Sequence, residues 1–382
     1  MKNFLTLALG LLIAGSLFAQ HPAYEHFKEV RNERDTTAMK RILDAWEQEE
    51  PERYAAWAGY CSVMAELTED TAWNERGLKW AEEGLEAFPE NLLLLYKKGE
   101  AQNEAGSYED ALATFLHICD LEENAEDAWF YLAQLYAGKR ELDTARIYAE
   151  KLSHSEDEDY QMFGTEVTEG IDEWHKRYEE SRITPDFQAL RSFAWTTDFM
   201  DLMQRFQACD TTLTVRDVSN LYYANGFRSD TDAASHKVSD DLKPLLNERK
   251  FQEAFDLLTK TLETEPLGLD FLYSAVLLCE PLQIDDETTW RLLWKLGMVG
   301  SAISLSGTGL SEEDPVHVNG VQDEYSFLQS VFGMQGLRKQ FLTAGQHDCL
   351  VFVNGEGMDE SIYFSLSPAY WERLDSLFSD DE

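Results

Sequence analysis

Several motifs that are typical of catalytic and metal sites are missing from the sequence. There is no Cys-x-x-Cys pair, no HExxH motif, no GxSxG motif and no P-loop with its lysine. Zinc hydrolysis, an α/β-hydrolase active site and phosphate binding in a P-loop therefore have no support. We expect a protein that is not an enzyme and that binds neither a cofactor nor a metal ion.

Basic residues are scarce in this chain. It has 32 Lys and Arg residues against 72 Asp and Glu residues, which gives a formal net charge of −40. The acidic residues are spread through both halves, so the negative charge is not confined to a tail. A field of this sign repels phosphate backbones and anionic lipids, which argues against nucleic acids and membrane surfaces as partners. It keeps the surface soluble and favours a basic partner.

Long apolar runs are also scarce, apart from one at the N-terminus. Lys2 precedes an apolar stretch from Phe4 to Phe18, and Ala19 provides a small residue at a cleavage point. This pattern is typical of a secretory signal peptide, and the stretch is short for a membrane-spanning helix. We predict that residues 1–19 are removed, that the protein is periplasmic or secreted, and that it has no membrane insertion after cleavage.

The five cysteines are widely spaced. Their odd number leaves at least one thiol unpaired, and most of them have apolar neighbours in the sequence. Cysteine in such surroundings behaves as a small buried hydrophobic residue. One disulfide bond remains open, because its connectivity cannot be read from the sequence.

The first half contains a repeat with a spacing of 34 residues. A repeat of this length with small residues at two fixed positions is typical of a helix–turn–helix unit, because small residues let the two helices approach closely. The small residues at the first position are Ala65, Gly99 and Ala133, and those at the second are Gly77, Ala111 and Ala145.

These repeats resemble the tetratricopeptide repeat. Trp129, Leu132, Ala133, Tyr136 and Ala145 stand at the spacings of its consensus. Three repeats and a preceding partial one cover about residues 36–160, where residues 38–46 form the second helix of the partial unit. Such units bury their faces only against neighbours, so three or more are needed. We predict a helical repeat domain, an α-solenoid, over residues 20–183.

The resemblance implies a concave groove lined by the first helix of each unit. Family members that clamp a peptide carboxylate need Lys, Arg and Asn in this groove, whereas Glu100 and Gln134 stand at such positions here. An acidic and aromatic groove suits a basic or apolar segment of a partner protein better. The residues that this places in the groove, called the groove residues below, are Ser62, Glu66, Tyr96, Glu100, Asn103, Phe130 and Gln134.

The second half, residues 184–382, is predicted to be an α+β domain with its helices first and a small antiparallel sheet at the C-terminal end. The spacing of apolar residues predicts a helix from Phe199 to Phe206 and a helix that contains Tyr222 and Tyr223. It also predicts a pair of helices that ends before Pro266. A further helix covers residues 323–332. Alternating apolar residues predict four strands. They contain Ile303 and Leu305, Val316 and Val318, Leu350 and Phe352, and Ile362, Phe364 and Leu366.

Residues 185–375 resemble an uncharacterised domain-of-unknown-function family of secreted bacterial proteins. The resemblance implies a fold and a compartment but no activity. The segments that carry it are Arg205-Phe206, residues 210–214, Leu221-Tyr222-Tyr223, residues 306–309 and Asp323-Glu324-Tyr325.

Two functions remain open from the sequence. The first is a non-catalytic, exported scaffold or adaptor that binds a protein or peptide partner through the groove residues. The second is an envelope hydrolase or small-ligand-binding protein with its site in the α+β domain. The second function predicts a pocket near Asp210, Tyr222, Tyr223 and Gly307 in which polar groups converge.

Overall fold

The computed structural model describes residues 22–228 and 231–379, so the predicted signal peptide lies outside the described residues. Within them the chain forms eighteen helices and a sheet of four strands. The chain divides into two compact units between Glu173 and Trp174. The mainly helical fold with a small sheet near the C-terminus is the predicted fold class. None of the described helices is both long and apolar enough to cross a membrane.

The first unit consists of helices, and most of them pack against the next helix along the chain. The division between the two units lies within the last of these helices, Glu158–Ser181. The bounds are α1 (Pro22–Asn32), α2 (Thr36–Ala45), α3 (Pro51–Thr68), α4 (Ala72–Ala87), α5 (Leu92–Glu104), α6 (Tyr108–Leu121), α7 (Glu126–Gly138), α8 (Leu142–Leu152) and α9 (Glu158–Ser181).

The repeat spacing is visible in the helix bounds. Helices α5 and α7 begin at residues 92 and 126, and α6 and α8 begin at residues 108 and 142, so both pairs are 34 residues apart. The turn between α5 and α6 contains Gly106 with φ +76°, a left-handed conformation that glycine adopts without strain. Asn91 accepts a hydrogen bond from the Leu94 amide and caps the start of α5.

Small residues at the repeat positions bring paired helices together, as predicted. A Cβ atom added to Gly99 of α5 would lie 2.7 Å from the Phe115 ring of α6. Ala111 and Ala145, at the second repeat position, are fully buried. Close packing of this kind buries the apolar faces that the short helices could not bury alone.

The core of the first unit has two parts that meet at α5. Leu94 packs with residues of α1 to α4, whereas the next residue, Leu95, packs with residues of α6 and α7. Consecutive residues on a helix point about 100° apart, so one helix can contribute to both cores. A run of four leucines from residue 92 supplies this helix with two apolar faces.

The second unit has its helices first. They share one core with the sheet, and this core includes Phe206, Tyr223, Phe271 and Phe364. The helix bounds are α10 (Phe187–Phe193), α11 (Thr197–Gln207), α12 (Val215–Asn225), α13 (Thr231–Asn247), α14 (Phe251–Thr264), α15 (Leu269–Leu282), α16 (Asp286–Ser304), α17 (Val321–Phe332) and α18 (Pro368–Ser379).

The sheet contains β1 (Val316–Val318), β2 (Gly336–Leu342), β3 (Asp348–Val353) and β4 (Asp359–Leu366) in the order β1-β4-β3-β2. The expectation of an antiparallel sheet is wrong for one pair, because β1 lies parallel to β4, with Val316 opposite Phe364. The sheet is therefore mixed. After β1 the chain passes through α17, β2 and β3, and β4 then runs beside β1 in the same direction.

Two details of the strand prediction are also wrong. Ile303 and Leu305 belong to the C-terminal end of α16 and its cap, where both Ile303 and Val299 are buried. Strand β2 was not predicted, because its residues from Leu337 to Leu342 are all exposed and show no buried alternation. The glycines at residues 307 and 309 consequently lie in the loop between α16 and β1.

Candidate functional site

The groove residues lie on the first helices of three successive pairs. Ser62 and Glu66 are on α3, and Phe130 and Gln134 are on α7. Tyr96, Glu100 and Asn103, the remaining three, are on α5. None of the seven is fully buried.

A polar link connects α3 and α4 to the end of α5. The Ser62 hydroxyl donates to Oε1 of Glu104 over 2.8 Å, and Nδ2 of Asn74 donates to the backbone oxygen of Glu104 over 3.0 Å. Desolvation raises the pKa of the Glu104 carboxyl, while the hydrogen bond from Ser62 and the charge of Lys97 oppose the rise. The sequence prediction included Ser62 but missed Asn74 and Glu104.

Lys97 is a buried cation next to the groove residues. Its side chain is 4% exposed, and its Nζ donates to Oε2 of Glu100 over 2.5 Å. A buried ammonium group needs such a partner, because an unpaired charge in the interior is strongly unfavourable. The spacing of three residues on one helix could have identified this pair, but the sequence does not show that Lys97 is buried.

Aromatic side chains continue this surface along α5 and α7. The Tyr96 hydroxyl donates to Oε2 of Glu122 over 2.9 Å. The ring centroids of Phe130 and of Phe163 on α9 are 4.5 Å apart, so the Phe130 side chain packs against α9. Tyr131 stacks on Phe115 with the ring centroids 4.5 Å apart. These rings are therefore parts of the helix packing as well as of the surface.

Asp127, at the start of α7, is the most perturbed carboxyl group in this region. Burial raises its pKa from 3.8 to about 6, while a hydrogen bond from the Tyr160 hydroxyl opposes the rise. The charges of Glu100 and Glu122 raise the pKa further, and that of Lys97 lowers it. Asp127 is thus electrostatically coupled to the groove residues.

The balance of charge around the groove residues is negative. Glu66 is paired with Arg34 over 2.6 Å, Glu100 with Lys97, and Arg31 acts on Glu104 from α1. Carboxyl groups outnumber cations by two, so the surface can accept further hydrogen-bond donors of positive charge. The five carboxyl groups are those of Glu66, Glu100, Glu104, Glu122 and Asp127, and the three cations are Arg31, Arg34 and Lys97.

In the second unit, the paired tyrosines lie in the core. Tyr222 is 2% exposed and Tyr223 is fully buried. The Tyr222 hydroxyl donates to Asp323 over 2.6 Å and accepts from the Asn319 amide over 3.0 Å. The Tyr223 hydroxyl donates to the backbone oxygen of His317 over 2.9 Å. The two hydroxyls together therefore connect α12 to the segment around β1, and that of Tyr222 also connects it to α17.

The other residues of the alternative site have structural roles of their own. Asp210 is outside the core, where it accepts from Arg205 over 2.7 Å, and hydrogen bonds from Thr212 and Arg205 lower its pKa to about 2. Gly307 is packed so tightly that an added Cβ would lie 1.8 Å from the backbone oxygen of Pro315. The structure thus places Asp210 at the surface, whereas Gly307 lies in a packed loop next to Ser306, whose hydroxyl accepts from the amide of His317, the residue that Tyr223 contacts.

The described part of the chain shows no group of three or more His, Cys, Asp or Glu side chains placed to hold a metal ion. All five cysteines are free thiols, so the disulfide that the sequence left open is not formed. Four of them are buried, and Cys119 is partly exposed.

Comparison with known proteins identifies the second unit only. Residues 188–374 match the model of a family described as a domain of unknown function, DUF4919. This segment includes most of α10, all four strands and part of α18. The C-terminal half of the chain therefore contains a domain of unknown function, in agreement with the resemblance stated from its motifs. A comparison with curated proteins gave no match.

Proposed function

We propose that this chain is an exported, non-catalytic scaffold or adaptor that binds a basic segment of a partner protein through the groove residues. The helices of the first unit are, on this proposal, tetratricopeptide-like repeats. The 34-residue spacing of α5 and α7 and of α6 and α8 supports this assignment. The apolar run at residues 4–18 supports export to the periplasm or the medium.

The observation that carries the proposal is the excess of carboxyl groups around the groove residues. Among the described residues, the donor to the Glu104 carboxyl is the neutral hydroxyl of Ser62, and the donor to the Glu122 carboxyl is that of Tyr96. Hydrogen bonds from charged donors are roughly twice as strong as those from neutral donors. A Lys or Arg side chain of a partner would thus gain more here than water or a neutral peptide does.

The alternative, a hydrolase or small-ligand site in the α+β domain, has less support. Tyr222 and Tyr223 use their hydroxyls inside the core, and Asp210 is paired with Arg205. A catalytic group must be free to approach a reacting atom, and these groups hold the domain together instead.

Binding of labelled peptides tests the proposal. Fluorescence anisotropy would compare three peptides of equal length, rich in Lys and Arg, neutral, or rich in Glu, each with one Tyr. We expect the basic peptide to bind best and its affinity to fall with salt. The variant Glu66→Gln/Glu104→Gln should weaken this binding about three- to thirtyfold, since each exposed pair contributes about 0.2–1 kcal/mol and Glu104 somewhat more.

The matched control has the same change of charge at a different place. Glu82 and Glu86 are exposed on α4, the second helix of its pair. Glu82→Gln/Glu86→Gln should leave the affinity almost unchanged. If both double variants weaken binding equally, the attraction comes from the overall charge and the groove residues are not the site. Alanine at Tyr96 or Phe130 is a poorer test, because both side chains contribute to packing.

A further inference from the structure

A small polar cavity lies between α3, α4 and α5. Its volume is about 10 Å³, which is the space of a single water molecule. Gly59 and Gly77 are among the residues that line it. Its polar lining consists of Ser62, Asn74, Lys97, Glu100 and Glu104.

Asn74 provides an acceptor that none of the described residues uses. The residue is 8% exposed, and its Nδ2 donates to the backbone oxygen of Glu104. Its Oδ1 is buried and has no hydrogen-bond partner in the described structure. Buried polar atoms of proteins are almost always paired, so an unpaired amide oxygen in a polar cavity indicates that a donor belongs there.

The charges around this acceptor favour a cationic donor. Lys97 is paired with Glu100 over 2.5 Å, whereas in the described part of the chain the Glu104 carboxyl accepts from one neutral donor, Ser62. Arg31 and Lys97 lower the pKa of Glu104, but desolvation outweighs them and the net shift is upward. A further positive group beside Glu104 would therefore be favourable.

The size of the cavity decides which cation it can take. A primary ammonium group is about as large as a water molecule, and it has three donors that can reach Asn74 Oδ1 and a carboxylate. A guanidinium group is planar, has five N–H donors and is much larger. Glu104 as a whole residue is exposed although its carboxyl group is desolvated, and Ser62 is half-exposed, so the cavity can be reached from the surface.

We propose that this cavity binds the ε-ammonium group of a lysine in the partner segment, with Asn74 Oδ1 and the Glu104 carboxylate as its acceptors. The inference rests on the proposed function, since it names the side chain that the groove residues recognise. It also predicts a preference for lysine over arginine, which charge alone would not give.

The test uses three fluorescent peptides that are identical except at one position, which is Lys, Arg or Nε-acetyl-lysine. Anisotropy titrations with the full mature chain should show that the Lys peptide binds about tenfold tighter than the acetylated one. This is the loss expected when one hydrogen bond to a charged group is removed. The Lys peptide should also bind tighter than the Arg peptide.

Two variants locate the preference in the cavity. Asn74→Ala should abolish the difference between Lys and Arg peptides and leave Arg-peptide binding unchanged. Glu104→Gln keeps the shape of the side chain and should weaken binding of the Lys peptide more than that of the Arg peptide, so it tests the preference if Asn74→Ala fails to fold. Equal binding of the Lys and Arg peptides to the native chain would overturn this inference, the cavity then holding water only. In that case the proposed function stands, whereas binding of none of the basic peptides would refute both.

Discussion

Replacing Glu324 with glutamine should change how the stability of the second unit depends on pH. Glu324 lies on α17 and is fully buried. Burial, and then the charge of Asp348, raises its pKa from 4.5 to about 9. The carboxyl group is therefore neutral at pH 7 in the folded protein and ionised in the unfolded chain, and neither of its buried oxygens has a hydrogen-bond partner among the described residues.

The size of the effect follows from this difference in pKa. Because the folded pKa is the higher one, the contribution of the bound proton to stability is complete below about pH 4.5 and is lost as the pH rises towards about 9. Within this window one proton gives a slope of about 1.4 kcal/mol per pH unit. The free energy of unfolding should thus fall by about 3 kcal/mol over two pH units from this group alone.

Urea-induced unfolding, followed by tryptophan fluorescence at about pH 5.5 and pH 7.5, measures this slope. Glu324→Gln has no proton to lose, so its stability should fall by about 3 kcal/mol less than that of the native chain over this range. Other titrating groups, such as Asp270 with its pKa raised to about 6, are common to both proteins and cancel in the difference. The exposed Glu280→Gln is the control and should follow the native chain. Parallel behaviour of Glu324→Gln and the native chain would refute the reasoning.

Two further predictions concern packing in the second unit. Gly307→Ala should lower the stability of this unit by about 3 kcal/mol or more, since the backbone oxygen of Pro315 must move. Gly297→Ala in α16 should instead stabilise the unit by up to about 1 kcal/mol, because no described atom outside the helix backbone lies within 4 Å of the added Cβ. Thermal unfolding of both variants checks this, and similar melting temperatures would contradict it. Tyr222→Phe should cost about 1–3 kcal/mol in urea unfolding because it removes the donor to Asp323, and an unchanged midpoint would show that this hydrogen bond contributes nothing.

The repeat made most of the first unit predictable from sequence. Small residues such as Gly99 recur because each paired helix must approach its neighbour in the same way. Helix α1 was missed, although Tyr24, Phe27 and Val30 have helical spacing and are buried. The repeat could not identify it, because no matching small residue marks its place and it directly follows the predicted signal peptide.

The sheet was predictable only where one face is buried. Strands β1, β3 and β4 each have buried side chains that alternate, at least in part, with more exposed ones. Val316, Val318 and Ile362 are examples of the buried side chains. Strand β2 has no such pattern, and the direction of β1 depends on a partner strand more than forty residues away in sequence. Pairing between distant strands is decided by the packing of the whole domain, which a short window of sequence does not contain.

The candidate site was likewise predictable from the sequence only in part. The spacing of the repeat placed residues such as Ser62 and Glu100 on the first helices of their pairs. It could not indicate that Ser62 and Asn74 bond to Glu104, because these contacts join residues 30 or more positions apart, or that the Asn74 oxygen has no partner among the described residues. Burial of Lys97 is also a property of the packed helices and has no signal of its own in the sequence.

Strand β2 also bears on how copies of this protein meet one another. It is the last strand of the sheet, and a register shift between Leu337 and Lys339 interrupts its pairing with β3. Arg338 and Lys339 give this strand two positive charges and no negative one. When two copies approach along this edge, like charges and an irregular backbone face each other. Growth of the sheet from molecule to molecule is thereby disfavoured, which protects a chain with exposed Leu342 from fibril-like aggregation at high concentration.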